Sequence, residues 1–196
     1  MNTLKAEKRS MDVKAKKLRR EGYVTGNLFG REIQGSIPVK MDKKDVEAIL
    51  KTNGKGSQVM LELEGKSYDA LIKDVVYNAM THYVDEIDFQ ALVSNVKVHS
   101  VAEVVLVNHD KITEGVVQEM LTEISYKALP AALVDKVRID IGSMRIGDSI
   151  RVKDLEIAGN PDIDLMTDPE AVVVEVTLPH NAPVPETTTE EAPAEE

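Results

Sequence analysis

From Gln58 to Tyr77 the chain reads as two strands folded back on one another. Val59, Leu61 and Leu63 alternate with polar residues, the two-residue period of a half-buried strand. Glu64-Gly65-Lys66 is a hairpin turn, and Tyr68 to Tyr77 returns with Ala70, Ile72 and Asp74 on alternating positions. This hairpin commits the first half of the chain to an antiparallel sheet. The flanking segments are also short. Thr3 to Arg9, Val24 to Gly30, Gln34 to Met41 and Tyr83 to Phe89 each predict a strand. Two brief helices interrupt them. One is predicted between Asp12 as N-cap and Gly22 as C′ residue, with Val13, Ala15 and Leu18 on its apolar side. The other opens at Asp42-Lys-Lys-Asp45, buries Val46, Ile49 and Leu50, and ends at Gly54-Lys-Gly56. Short strands with two small helices predict a small barrel or curled sheet.

Near Val93 the helix signals nearly vanish. Strands are predicted in Val96 to Val107, Val134 to Ile141, Ile150 to Leu155 and Ala171 to Leu178, with a turn at Gly147-Asp148-Ser149. Val116 to Lys127 is ambiguous. Val117, Met120, Leu121 and Ile124 fit helical spacing, but the context is β. After Pro179 only Pro, Thr, Ala, Glu and a few others remain, too little apolar surface to offset the entropy of ordering. The expected fold class is mainly β (α+β). An N-terminal antiparallel β-barrel with two short helices (residues 1–92) precedes a separate all-β C-terminal domain (93–180) and a disordered acidic tail (181–196).

Charge is distributed unevenly. The chain of 196 residues has a formal charge of −10, yet Met1 to Arg31 holds nine cations against three acids. Five of those cations, Lys14, Lys16, Lys17, Arg19 and Arg20, fall within seven residues. A charge run of this kind is usually a solvated helix face. Such density means neighbours repel unless an anion offsets them, and that points to phosphate. The absence of cysteine excludes disulfides and thiolate metal sites and fits a reducing compartment. No apolar run is long enough to span a bilayer and no apolar leader opens the chain, so a cytoplasmic protein with no membrane partner is expected.

Catalytic and cofactor motifs find little support. Gly65-Lys66-Ser67 is half of a phosphate-binding loop, but Met60 stands where the first Gly belongs. Gly142 to Ser149 has that two-Gly spacing with Asp148 in place of Lys, a charge that repels phosphate. His82, His99, His109 and His180 do not pair at ligand spacing. Asp85, Glu86 and Asp88 lack the Gly and the spaced oxygens of a calcium loop. No Gly-x-Ser-x-Gly elbow occurs. The expectation is no catalytic residue, no metal, no cofactor and no small-molecule substrate.

The order of segments resembles a known family. Ala6-Glu7-x-Arg9, then Leu18-Arg19-Arg20-Glu21-Gly22, then Tyr23-Val-Thr-Gly-Asn-Leu-Phe29-Gly30 is similar to the opening of the bacterial large-subunit ribosomal protein twenty-five family. Ile72-Lys73-Asp74-Val75 and Ile87-Asp88-Phe89 resemble the signatures that close its RNA-binding domain. Leu129-Pro130, Val137 to Ile141 and Ile146 to Leu155 resemble the C-terminal domain of its long form, the general stress protein Ctc type. The resemblance implies a non-enzymatic component of the 50S subunit, in contact with 5S rRNA and 50S proteins. It implies RNA contacts from Arg9, Lys16, Lys17 and Arg19, with Lys14 and Arg20 as phosphate neighbours and Asp88 and Phe29 at family positions. Phe29 stands where the family has Tyr, Val76 where it has Gln and Glu86 where it has His, and a Gly-Lys-Gly turn before the basic helix is missing. Those departures leave an alternative, a divergent stress-related paralogue that acts as a protein–protein adaptor and binds RNA weakly.

Overall fold

The computed structural model describes residues 2–112 and 115–178. The first six strands are β1 (Thr3–Lys8), β2 (Tyr23–Phe29), β3 (Ser36–Asp42), β4 (Gln58–Leu63), β5 (Lys66–Tyr77) and β6 (Val84–Ala91). They close into a barrel in the order β1-β3-β2-β6-β5-β4. Most neighbours are antiparallel, but two pairs are parallel. β1 runs alongside β4, with Leu4 opposite Leu61, and β2 runs alongside β6, with Thr25 opposite Glu86. The alternation in β4 does what its period predicts, for Val59, Leu61 and Leu63 all point into the core with Leu4, Leu28, Ile72, Ile87 and Phe89. Phe89 is the one Phe in that core, so aliphatic side chains fill the rest.

Two helices sit on the barrel. α2 (Lys43–Leu50) starts as expected, with Asp42 Oδ1 accepting a 2.9 Å hydrogen bond from the Lys44 amide. It buries Val46 and Ile49, while Leu50 is half-buried. α1 (Ala15–Arg20) buries only Leu18. Its N-cap is Lys14, which gives no side-chain cap, and not Asp12. Asp12 instead accepts from the Ser10 hydroxyl at 2.9 Å, which holds it in the preceding turn. Gly22 has φ of +93°, the left-handed C′ geometry that suits glycine. Its carbonyl accepts from the Lys43 amide at 3.0 Å, so the end of α1 is tied to the start of α2.

The second half carries β7 (Val98–Val107), β8 (Val116–Glu119), β9 (Glu123–Ala128), β10 (Lys136–Asp140), β11 (Ser149–Arg151), β12 (Ile163–Leu165) and β13 (Val172–Thr177). They form one sheet of order β10-β7-β9-β12 and another of order β11-β13-β8. The ambiguous Val116 to Lys127 segment is two strands, not a helix. Met120, which a helical stripe would bury, is exposed at the bend between them. Only the start of the predicted Ile150 to Leu155 strand is strand. From Val152 the chain turns into a 3-10 helix, whose Asp154 carboxylate accepts from the Arg151 amide at 3.1 Å. β12 has three residues, too few for a readable period. The predicted tail (181–196) lies outside the described residues.

Tyr126 is fully buried at the centre of the second core. Its hydroxyl donates to the Val134 carbonyl at 2.7 Å and accepts from the Val134 amide at 2.8 Å. Burial pushes its pKa up, so the neutral phenol that can make both bonds is the favoured form. The two halves meet at Lys55 to Ser57. Lys55 Nζ lies 3.3 Å from Glu123 and 3.8 Å from Asp74. Lys73 Nζ donates to the His99 carbonyl at 2.9 Å, and Ser57 Oγ to Asp135 at 3.3 Å. Gly56 has φ of +85° and faces the Val101 carbonyl so closely that a Cβ there would clash.

Two substitutions test these packing arguments. Tyr126→Phe leaves both polar groups of Val134 without that partner and should cost about 1–3 kcal/mol in urea unfolding. Gly26 meets the Ile87 backbone carbonyl where its Cβ would be. Gly26→Ala should therefore cost about 1–3 kcal/mol, seen as a lower urea midpoint with an unchanged m-value.

Candidate nucleic-acid interface

α1 is six residues long and rests on one buried side chain, Leu18. Pinning at Leu18 turns Lys16, Lys17 and Arg20 to solvent, with Lys14 exposed just before them. Basic residues in the last turn also complement the carbonyl end of the helix. One acid lies close to the exposed cations, since Lys17 Nζ is 3.9 Å from Glu21. At that exposure the pair contributes little and leaves the ammonium available.

Arg19 behaves differently. It points back over β6, and its side chain is 33 % exposed. Nε donates to the Asp85 carbonyl at 3.0 Å, the same oxygen that accepts from the buried Thr25 hydroxyl at 3.3 Å. The guanidinium also lies 3.8 Å from the Asp85 carboxylate and 3.9 Å from Glu86. Arg9 is half-buried too, and one of its terminal nitrogens donates to the Val13 carbonyl at 3.1 Å. It holds the loop that leads into α1. Among the described residues its buried Nε has no hydrogen-bond partner. Of six cations singled out from the sequence, four are displayed outward and two are turned to structural use.

The remaining two sequence candidates lie elsewhere on the barrel. Phe29 is at the far end of β2, opposite Ser36 and Gln90. Six residues of strand separate it from Tyr23, about 20 Å. Asp88 is on the outward face of β6, where Asn27 Nδ2 donates to it at 3.2 Å and reaches Glu86 at 3.5 Å. Asp74 of β5 pairs in register with Asp88. Glu86, Asp88 and Asp74 make this face acidic, and it repels phosphate.

A cleft of about 400 Å³ runs beside α1. Lys16, Arg19, Arg20 and Tyr23 line it from one side of the sequence, and Lys43, Asn78, Thr81, Tyr83 and Asp85 from the other. The sequence pattern does not point to Tyr23, Lys43 or Tyr83, because they converge only through the barrel. Lys43 Nζ lies 2.9 Å from the Tyr83 ring centroid, and Lys40 Nζ lies 4.8 Å from that of Tyr23. Both are cation–π contacts. Lys40 also pairs with Glu7 at 2.8 Å, and that hydrogen bond raises its pKa above the usual lysine value. Asn78 shapes the cleft floor. Its side-chain oxygen accepts from the amides of Met80 and Thr81 at 3.0 and 3.1 Å, and its nitrogen donates to Asp85 at 3.2 Å.

The arrangement offers fixed positive charge and two aromatic rings, which is recognition chemistry for a polyanion. Among the described residues no group of three or more His, Cys, Asp and Glu is placed to hold a metal ion. No described helix is long and apolar enough to cross a membrane.

The model of the Ribosomal L25p family matches residues 4–89, and that of the ribosomal protein TL5 C-terminal domain matches residues 94–180. A large ribosomal subunit protein bL25 from Bacillus pumilus is 28 % identical over 200 residues, covering 100 % of this chain and 94 % of the relative. The protein of the same name from Bacillus velezensis is 28 % identical over 201 residues, covering 100 % and 97 %. That from a Thermoanaerobacter species is 24 % identical over 170 residues, covering 86 % and 84 %. The two models matched in series, with relatives of one name along the whole length, show that the chain belongs to the Ribosomal L25p family in its long, two-domain form, a family of large-subunit ribosomal proteins and not of enzymes.

Proposed function

We propose that this chain binds 5S rRNA within the 50S subunit, through the basic end of its N-terminal barrel, as a cytoplasmic ribosome component. The observation that carries the reading is the arrangement of charge on the barrel. Lys14, Lys16, Lys17 and Arg20 are exposed on one short helix and its N-cap. The β6 acids beside them, Asp85 and Glu86, are drawn to Arg19, and Asp88 and Asp74 pair in register with each other on β6 and β5. Residues 1–92 serve as the RNA-binding domain, and residues 93–180 as a second domain that faces 50S proteins.

Regular A-form RNA has a deep major groove too narrow for side chains to read. A protein built this way favours a segment where non-canonical pairs distort the groove and bring phosphates within reach of a short helix. Lysine and arginine then supply most of the affinity through release of counterions, and few contacts read bases. Arg9 and Arg19 contribute mainly by holding α1 in place. The acidic strip of Glu86, Asp88 and Asp74 favours the adaptor alternative for that one face, where a basic protein surface fits better than RNA.

A salt titration of 5S rRNA binding tests the reading. Affinity should fall steeply with salt. Changing Lys16, Lys17 and Arg20 together to Ala should weaken binding and make the logarithmic slope shallower by about two to three. Binding indifferent to that triple change overturns the assignment. Arg19→Ala should differ in kind. It should lower the urea midpoint and leave the salt slope closer to wild type than Lys17→Ala does, because its charge is already engaged with Asp85 and Glu86.

A further inference from the structure

We infer that the cleft beside α1 holds a segment of phosphodiester backbone, and that Lys43 of α2, positioned by the Tyr83 ring, contacts one of its phosphates. The inference rests on the RNA-binding reading above and extends the interface from one helix to two.

The charge balance of the cleft is the first support. Four cations meet three acids there: Glu86 lies 3.9 Å from Arg19 and Glu47 3.8 Å from Lys43, and the one carboxylate that lines the cleft with Lys16, Arg19, Arg20 and Lys43 is Asp85. That carboxylate is engaged, since Asn78 donates to it at 3.2 Å and Arg19 lies 3.8 Å away. The positive surface does not stop at the rim. Lys14 and Lys17 continue it along the exposed side of the helix. A string of phosphates fits that extension, whereas one small anion leaves most of it unused.

The second support is how Lys43 is held. It is the first residue of α2, and its amide donates to the Gly22 carbonyl at the end of α1. This fixes its backbone next to the basic helix. Its side chain is 29 % exposed, low for a lysine at a helix start. The ammonium is 2.9 Å from the Tyr83 ring centroid and 3.8 Å from Glu47. An exposed lysine loses rotamer entropy when it meets a phosphate. Here the ring has already restricted the side chain, so less is lost on binding. Tyr83 itself is 52 % exposed and open to the cleft. It acts through Lys43 and is a positioning residue.

Full-length chain and 5S rRNA, titrated across a salt series, supply the test. Lys43→Gln keeps the stem of the side chain and removes the charge. It should weaken binding roughly three- to tenfold and make the slope shallower by about one. Tyr83→Phe keeps the ring face and should bind like wild type. Tyr83→Leu removes it and should weaken binding roughly two- to fivefold. Urea midpoints close to wild type exclude unfolding as the cause. If Lys43→Gln keeps wild-type affinity and slope while the Lys16/Lys17/Arg20 variant loses both, the cleft proposal is overturned and the RNA reading stands. If the triple variant is also indifferent, both fall. If Tyr83→Leu binds like wild type while Lys43→Gln does not, the ring has no positioning role.

Discussion

The close parallel approach of β2 and β6 supports everything at the basic end of the molecule. At Gly26 the two backbones are too near for any side chain. That approach aligns Thr25 with Glu86 and brings the Asp85 carbonyl under α1. The carbonyl then accepts from both Thr25 and Arg19. Leu18 packs below, so the helix is held at two points. The outward display of Lys16, Lys17 and Arg20 follows from an interstrand contact that involves none of them.

The formal charge of −10 is a poor guide to what the surface attracts. Screening limits the reach of exposed charges to about 8 Å at physiological ionic strength. At α1 itself Lys14, Lys16 and Arg20 are exposed, while Lys17 and Arg19 have acids 3.8–3.9 Å away. Asp85 and Glu86, the β6 acids nearest the helix, are paired with Arg19, while Asp88 and Asp74 pair in register with each other on β6 and β5. The acidic body therefore does not cancel the patch. It gives the molecule a surface with charge of opposite sign at different places.

Much of the fold is legible in the sequence, and what is not has a common cause. The β4–β5 hairpin, the Asp42 cap and the Gly22 stop rest on local rules of period and backbone geometry. Barrel closure does not, because nothing near Leu4 encodes its parallel partner Leu61. Val116 to Lys127 satisfies a helical spacing by chance, and the strand pairing and the exposure of Met120 resolve it. Asp12 has the right chemistry for an N-cap, but Ser10 takes its carboxylate first. The same holds for the interface. The density of cations is visible in a linear reading. That Arg19 folds inward, and that Lys43 arrives from another helix on a tyrosine, depends on pairings across half the barrel. The resemblance to a family supplied the partner class, which charge alone leaves open.

The anchor of Arg19 lies 66 residues later in the chain. At a synthesis rate of 5–20 residues per second, that carbonyl is made about 3–13 s after the arginine. Until then the nascent chain presents a loose cationic segment with no fixed geometry. The ordered display becomes available only when β6 has been made and inserted beside β2. Arg19 thus gains its fixed orientation only when the barrel is complete, through the order of the strands alone.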